Sequence, residues 1–303
     1  MTSAFPKVGI GLPVCNGERY IAEALSSLVS QTYTGLEITI SDNASEDGTE
    51  KICRTLAEED ERIVYTRADT RLSIGGNWNR AFRLSRGEYF MWAAHDDLWE
   101  PDYVAALVHL LEHDRTALFA LSRYDMIDGD GSRISGVECR YDDFCSRKLY
   151  LRLLGFLASD FAGKGNAVHG LMRRTVLERV DGASSFDELL TPGDWLLIFR
   201  LLSLGPFAYD DRLMFHKRDQ YPKRLQHPTP LKQLGIQYRR SHDFYRYAGR
   251  LQEELLNLQE LSGSQRAELR RICRTHVALL YLRQLDVLSK AVRRRVLKPA
   301  YGN

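Results

Sequence analysis

Short apolar, β-rich runs alternate with stretches of helical periodicity over the first 125 residues of the chain. Between the first two runs, Ile21, Leu25, Leu28 and Val29 recur at the spacing of a helix that buries one face. Strands that alternate with helices are typical of βαβ units around a mostly parallel sheet. Strands are predicted over residues 7–12, 36–41, 62–67 and 88–93, with helices over about 49–59 and 77–85 and another that begins at Pro101.

The alternation becomes less regular after Ala117. The pattern there predicts a strand into Asp125, a turn at 128–131, a helix over 147–159, a helix that begins near Asp194 and a strand over 207–215. From Thr229 to about residue 297 the apolar residues keep helical spacing. The predicted fold class is therefore α/β, with a mostly parallel central sheet flanked by helices and a C-terminal helical extension. We assign residues 1–225 to one domain and residues 226–303 to a helical, basic C-terminal region.

Charged residues are unevenly distributed along the chain, with an acidic first part and a basic C-terminal part. Residues 1–211 hold 22 Lys and Arg against 33 Asp and Glu, whereas residues 212–303 hold 20 against 7. A basic surface can meet anionic lipid headgroups, nucleic acid or a phosphorylated partner, or it can pair with acidic residues of the same chain. No recognised nucleic-acid-binding module is present, so nucleic acid is not an expected partner.

The sequence also bears on localisation. No signal peptide is visible at the N-terminus, and no apolar stretch reaches the length of a spanning helix. The five cysteines form no CxxC pair, which argues against a disulfide framework or a structural zinc site. We therefore expect a cytoplasmic protein with free thiols, and we hypothesise that the basic C-terminal helices make peripheral contact with the inner face of the membrane.

Carboxylates follow two of the predicted strands. Asp42 follows the second strand, and Asp96 and Asp97 follow the fourth. In open α/β sheets, ligands bind outside the carboxyl ends of the strands, so these side chains are expected to line one crevice. Mg²⁺ and Mn²⁺ prefer oxygen ligands and are often held by one or two carboxylates plus substrate phosphates. Two structural interpretations stay open, namely an Asx turn at Asp42 and helix capping by the Asp pair.

Two common nucleotide-binding motifs are missing. Gly9-Ile10-Gly11 opens a dinucleotide-binding fingerprint, but Val14 stands where its third glycine would fall and Pro13 stands where its turn would open. No Walker lysine motif occurs either. A dehydrogenase and a P-loop kinase are therefore poor interpretations of this sequence.

Several short runs of residues each indicate a protein family only weakly, but their order and spacing along the chain are specific. The chain resembles the family 2 glycosyltransferases of the GT-A fold, a Rossmann-like architecture, over about 120 residues. The runs that carry the resemblance are Gly11 to Ile21, Gln31-Thr32-Tyr33, Glu37 to Thr49, Gly75 to Ala81, Ser85 to Tyr89 and His95 to Pro101.

The resemblance implies a nucleotide site and a metal site. It places Pro13, Asn16 and Asn77 near the nucleotide, and Asp42 as acceptor from the ring N–H of uracil or guanine. It further implies that Asp96 contacts the ribose side and that Asp97 binds Mn²⁺ or Mg²⁺.

The sequence departs from the family pattern in front of the Asp pair. Many family members carry an extra aspartate two places before the pair's first member, where this chain has Ala94. His95 fills the place between and could assist in binding the metal, although a lone histidine is more often a structural hydrogen-bonding group.

The family also places a catalytic base at an acidic residue that introduces a helix. Here the usual Glu-Asp pair is Gly193-Asp194, so Asp194 is the candidate base, with helix N-capping as its structural alternative. His216 and Arg218 are candidate diphosphate contacts, with surface charge as the alternative. Asn166 and His169 stand where the wall of the acceptor cavity is expected.

The resemblance implies an inverting glycosyltransferase of the hexosyltransferase type. It would move a sugar from a nucleotide-diphosphate donor, with a UDP-sugar favoured, to a hydroxyl of a glycan or lipid-linked acceptor, as in the synthesis of cell-surface polysaccharides. The alternative from another class is a noncatalytic protein that binds a nucleotide sugar or a glycan on the same scaffold.

Overall fold

A computed structural model describes residues 8–139, 141, 144–158, 162–180, 193–219, 246–275 and 277–278 of the chain. Strands and helices alternate through the first half, and the second half is mixed. The strands are β1 (Val8–Val14), β2 (Leu36–Asp42), β3 (Ile63–Arg67), β4 (Tyr89–Trp92), β5 (Leu98–Trp99), β6 (Phe119–Ile127), β7 (Arg133–Cys139), β8 (Leu171–Arg173) and β9 (Ala208–Arg218). The α-helices are α1 (Ile21–Val29), α2 (Thr49–Glu59), α3 (Ile74–Leu84), α4 (Tyr103–His113), α5 (Leu149–Ala158), α6 (Arg174–Arg179) and α7 (Gly193–Leu204).

These strands form one sheet in the order β3-β2-β1-β4-β8-β6-β9-β5, and β7 pairs with β6. The pairs among β1, β2, β3 and β4 are parallel. Strand β8 runs antiparallel to both β4 and β6, whereas β6 and β9 are parallel to each other. The expected α/β architecture with a mostly parallel sheet is confirmed for the first half of the chain.

Strand β1 lies at the centre of the parallel part and is buried along its whole length. It pairs with β2 on one side and β4 on the other, which brings the carboxyl ends of the three strands together. Helix α1 buries Ile21, Ala24, Leu25 and Leu28, three of them members of the stripe that the sequence predicted. Because parallel strands end at one edge, the segments that follow them meet there.

Helix α3 begins three residues earlier than predicted. Its N-cap is Ser73, whose hydroxyl accepts a hydrogen bond from the backbone N–H of Gly76 at 2.9 Å. A serine cap satisfies one of the N–H groups that have no partner within a helix. Asn77 therefore lies inside the helix and does not begin it.

The C-terminal helical prediction is confirmed in part. Residues 246–257, 263–275 and 277–278 are helical and residues 258–262 are not, whereas residues 220–245, which include the boundary proposed near residue 225, and residues 279–303 lie outside the described residues. The helices over 246–257 and 263–275 contact α7 and α5 through an ion pair between Glu254 and Arg200 of α7 and a hydrogen bond from Tyr150 of α5 to Glu268. No helix of the described residues is long and apolar enough to cross a membrane.

Candidate active site

The turn after β2 is built around the carboxylate of Asp42, which is fully buried. Its Oδ1 accepts a hydrogen bond from the backbone N–H of Ser45 at 2.9 Å, and its Oδ2 accepts one from the Tyr65 hydroxyl at 2.6 Å. The first of these bonds comes from the turn three residues on, so Asp42 does help to fix that turn, although an Asx turn would bond two residues on. A carboxylate offers about four lone-pair sites, so these bonds leave acceptor capacity and the contact with a base stays a prediction.

Asn16 joins the end of β1 to the same turn. Its φ of 56° lies in the left-handed region, which asparagine tolerates better than most residues. Its backbone N–H donates to the Ser45 hydroxyl at 2.9 Å, and its Oδ1 accepts from the backbone N–H of Glu46 at 2.9 Å. Pro13 lies within β1 and is paired with Ser41 of β2. Both residues lie at the expected edge of the sheet, and their nucleotide contacts stay predictions.

Asn77 binds the ends of β1 and β2 to helix α3. Its amide nitrogen donates to the carbonyl oxygens of Ser41 at 3.0 Å and Val14 at 3.3 Å, while its Oδ1 accepts from the Ser41 hydroxyl at 2.7 Å. The side chain is buried, and its donors and acceptor serve the protein itself. These contacts give Asn77 a structural role, and its predicted contact with a nucleotide is untested.

Asp97 lies at the end of the loop after β4 and is fully buried. Its two carboxylate oxygens lie 3.0 and 3.3 Å from the ammonium nitrogen of Lys217, and Oδ1 also accepts from the backbone N–H of Arg218 at 2.9 Å. Asp96 is buried beside it, and its carbonyl oxygen accepts from Arg218 Nε at 2.7 Å. The Asp pair therefore faces β9, and helix capping does not explain these contacts.

Lys217 was missed by the sequence analysis, although it lies between His216 and Arg218. Successive side chains of a strand point to opposite faces of a sheet, so Lys217 shares a face with the core residue Phe215. His216 lies on the other face, with Nδ1 2.6 Å from Asp125 Oδ1 and Nε2 3.0 Å from a Glu100 carboxylate oxygen. The apolar residue two places before Lys217 was the signal that could have identified it.

Arg218 shares the face of His216. Its guanidinium forms an ion pair with Glu23 at 2.7 Å and packs over the ring of Tyr20. These contacts do not support either His216 or Arg218 as a diphosphate contact, and both assignments stay predictions. His216 also lines a cavity of about 720 Å³ between helix α1 and strands β5, β6, β7 and β9.

Asp194, the candidate base, lies in the first turn of α7. Burial raises the pKa of its carboxyl to about 6, against the lowering effects of the backbone N–H of Trp195 and the charge of Lys217. Gly165 packs directly against it, because a Cβ built there would lie 2.0 Å from Asp194 Oδ2. A carboxyl with a pKa near the working pH is suited to accept a proton.

The negative charges of several acidic side chains in the site stabilise the charged form of Lys217. Burial alone would lower the pKa of its ammonium, but the carboxylates of Asp97, Asp96 and Asp194 outweigh that effect and raise the pKa. One positive charge is therefore held among three negative ones. Perturbed ionisable groups that cluster in this way are typical of functional sites.

His169 closes the site beside Asp97. Its Nδ1 lies 3.0 Å from the carbonyl oxygen of Trp92, and its Nε2 lies 4.0 Å from Asp97 Oδ2. Burial lowers the pKa of the imidazole to about 3, so the ring is neutral and its proton lies on Nδ1, where a carbonyl can accept it. Asn166 donates to the Tyr124 hydroxyl at 2.9 Å. A role of either residue in the acceptor cavity stays a prediction.

The donor atoms suit a hard divalent cation only in part. Within the described part of the chain, no group of three or more His, Cys, Asp or Glu side chains is arranged to hold a metal. Asp97 offers carboxylate oxygens and His169 Nε2 offers a lone pair, so substrate phosphates and water would have to complete the shell. The ammonium of Lys217 already lies against Asp97 and would have to give way.

Comparison with known proteins gives the same architecture. Residues 10–177 match the model of the family described as "Glycosyl transferase family 2". Among curated proteins, the chain is 32% identical to chondroitin synthase of Escherichia coli over 235 residues, which is 77% of this chain and 31% of that protein. The first curated relatives that it matches are also longer, and the chain spans from 30% to 64% of their length.

Two solved structures share the fold at low sequence identity. TarS of S. aureus in complex with UDP superposes with a TM-score of 0.63 at 17% identity, covering 87% of this chain and 69% of that one. The mannosyltransferase PcManGT of Pyrobaculum calidifontis, in complex with GDP-Man and Mn²⁺, gives a TM-score of 0.51 at 17% identity and covers 98% and 82%. The GT-A fold expected from the sequence is thereby confirmed.

Proposed function

The chain belongs to glycosyltransferase family 2, and from that premise we propose that it is an inverting enzyme that uses a nucleotide-diphosphate sugar, with a UDP-sugar favoured. The acceptor is a hydroxyl of a glycan or of a lipid-linked glycan, as in cell-surface polysaccharide synthesis. The observation that carries the proposal is the ion pair between Asp97 and Lys217, whose ammonium also interacts with the charges of Asp96 and Asp194. It joins the candidate base to the residues assigned to the departing diphosphate.

Asp194 is the base of the proposed reaction. Its pKa of about 6 leaves it mostly ionised at neutral pH, so it accepts the proton of the acceptor hydroxyl as that oxygen attacks the anomeric carbon. The new bond forms on the face opposite the diphosphate, whose bond to the sugar breaks and takes the electron pair. The configuration at that carbon is inverted by this single displacement.

The diphosphate leaves toward Asp96, Asp97 and Lys217. When bound, Mn²⁺ or Mg²⁺ supplies positive charge to the departing diphosphate, and Asp97 is the residue that would hold it. Asp96 orients the ribose, and Asp42 accepts the ring N–H of the base with the acceptor capacity that its present bonds leave. Uracil and guanine both present such an N–H, so the choice between them needs a direct measurement.

A titration by calorimetry tests the donor site. UDP and GDP are titrated separately into the wild-type protein and into Asp97→Ala, first with Mn²⁺ and then with a chelator. The proposal predicts binding of one nucleotide that Mn²⁺ strengthens and that Asp97→Ala weakens. Absence of binding for both nucleotides in every condition would refute it.

A noncatalytic binding protein on the same scaffold is the second candidate. It would bind a nucleotide sugar and leave it intact. The raised pKa of Asp194 favours the enzyme, because binding alone needs no proton acceptor. Hydrolysis of the donor sugar in the absence of an acceptor separates the two, since only the enzyme releases free sugar.

Peripheral contact of the basic C-terminal region with the inner face of the membrane belongs to the same proposal. Basic residues near anionic lipid contribute about 1 kcal/mol each and are screened by salt. Flotation with anionic vesicles should therefore carry the protein at low salt and release it at high salt. Failure to bind anionic vesicles at low salt would remove this part of the proposal.

A further inference from the structure

The ammonium of Lys217 lies where a cation bound to Asp97 would be expected. Its distances to the two Asp97 oxygens are 3.0 and 3.3 Å, so it contacts both of them and not a single edge of the carboxylate. The Asp97 side chain is fully buried, and about a quarter of the Lys217 side chain is exposed. The lysine therefore has a route toward solvent, whereas the carboxylate is fixed.

Asp97 is fixed by a contact that does not depend on the lysine side chain. Its Oδ1 accepts the backbone N–H of Arg218, and β9 is paired with β5 and β6 on either side. Loss of the ammonium would leave the carboxylate in place with oxygens available to another cation. An ammonium and a divalent ion repel each other strongly at the separation that one carboxylate allows.

We infer that Lys217 and the divalent cation compete for the carboxylate of Asp97, and that the ammonium of Lys217 supplies positive charge to the diphosphate whether or not the metal is bound. The second half of this inference rests on the proposed function. It makes Lys217 a residue that sets how strongly nucleotide binding depends on metal. With the lysine present, part of the diphosphate charge is met even in a chelator.

Binding of Mn²⁺ to the nucleotide-free protein tests the competition by itself. Free Mn²⁺ is measured by electron paramagnetic resonance in titrations of the wild type, Lys217→Met, Lys217→Gln and Lys217→Arg. We expect Mn²⁺ to bind at least about tenfold more tightly to Lys217→Met and Lys217→Gln, because the competing charge is gone. Lys217→Arg keeps the charge and should resemble the wild type.

Two variants control for misfolding and for the change in net charge. Lys217→Gln keeps a hydrogen-bond donor, so it serves if the methionine variant does not fold. Lys51→Met removes an exposed lysine from helix α2 and controls for the general change in net charge. Equal or weaker Mn²⁺ binding in both neutral variants would overturn the inference, and so would equal tightening in Lys217→Arg.

Nucleotide binding in a chelator tests the second half. UDP affinity, or GDP affinity if that nucleotide binds better, is measured with Mn²⁺ and with chelator for the wild type and Lys217→Gln. The ratio of the two affinities should be about tenfold larger in the variant, and an unchanged ratio would overturn this half. Failure of both nucleotides to bind the wild type refutes the proposed function, while the Mn²⁺ comparison still decides the competition.

Discussion

Two groups of side chains at the edge of the sheet are held in different ways. Around the ends of β1, β2 and β3, Asn16, Asp42 and Asn77 are fixed by hydrogen bonds to backbone groups and hydroxyls. Around β9 and α7, the carboxylate of Asp97 forms an ion pair with the ammonium of Lys217, whose positive charge also acts on the buried carboxyl of Asp194. The first group presents its hydrogen-bonding atoms in a fixed geometry, whereas the second can respond to pH, to metal and to a charged ligand.

Under the proposed function, this difference separates recognition of the nucleotide base from the chemical step. A hydrogen-bonded turn presents acceptors in one geometry, which suits the recognition of a base. A cluster of charges changes its energy when a diphosphate or a proton arrives, which suits bond breaking. Changes in the charged group should therefore affect turnover most, and changes in the hydrogen-bonded group should affect binding and stability by smaller amounts.

The largest effect is expected for Asp194→Asn. The amide cannot accept the acceptor's proton as a base, so sugar transfer should fall by roughly 10²–10⁴-fold. Binding of the nucleotide should change little, because the substitution preserves the size of the side chain. Steady-state transfer assays with calorimetry on the same samples check this prediction. Transfer at a rate near that of the wild type would exclude Asp194 as the base.

The same variant should be more stable at alkaline pH. The carboxyl pKa is raised from 3.8 to about 6 in the folded protein, so its ionisation opposes folding. The favourable contribution of the protonated carboxyl is complete below about pH 4 and is lost as pH rises through 6. Asp194→Asn should thus gain about 1–3 kcal/mol of unfolding free energy at pH 8 and little at pH 4. Denaturant unfolding at both pH values checks the difference.

A smaller loss is expected for Gly165→Ala. The added Cβ would lie 2.0 Å from Asp194 Oδ2, so the carboxylate has to shift. A displacement of about 1 Å in a catalytic group can cost on the order of 10²-fold in rate. Gly249→Ala is the matched control, because a Cβ there meets no atom within 4 Å. Equal transfer rates in both variants would show that the position of Asp194 is unimportant.

The pH dependence of transfer should follow the ionisation of Asp194. Below its pKa of about 6 the rate should fall roughly tenfold for each pH unit, and above it the rate should level off. Rates at saturating donor and acceptor between pH 5 and 8 check the profile. A rate that is constant between pH 5 and 7 would argue against proton transfer to this carboxylate.

The smallest effect is expected for Tyr65→Phe in the hydrogen-bonded group. The variant loses the bond from the hydroxyl to Asp42 Oδ2 and keeps the bond from Ser45 to Oδ1. Loss of one hydrogen bond should reduce the unfolding free energy by about 0.5–1.5 kcal/mol. Transfer should stay within a few fold of the wild type. A loss of transfer as large as that of Asp194→Asn would contradict the division between the two groups.

The sequence predicted the hydrogen-bonded group better than the charged one. The helix over 49–59 and the placement of Asp42 at the end of its strand followed from periodicity and turn residues alone. Where parallel strands alternate regularly with helices, such local signals are sufficient to place the strands and helices along the chain. The start of α3 was misplaced because the cap is Ser73, which stands four residues before Asn77.

The charged group depends on contacts between distant parts of the chain. Lys217 and Asp97 are 120 residues apart, and nothing in local periodicity indicates that they meet. His216 and Arg218 were predicted from the resemblance of their segment to the family, and strand alternation was not applied to β9. Gly165 was missed for the same reason, since its role depends on α7 packing against a segment about thirty residues earlier.

The most direct test of the account is the turnover of a UDP-sugar followed by proton nuclear magnetic resonance, with wild type and Asp194→Asn side by side. The account predicts that the wild type consumes the donor and forms first the sugar anomer opposite to that of the donor. Asp194→Asn should bind UDP and form at most about a hundredth as much product in the same time. First product with the donor's own configuration, or equal turnover by the two proteins, would contradict it.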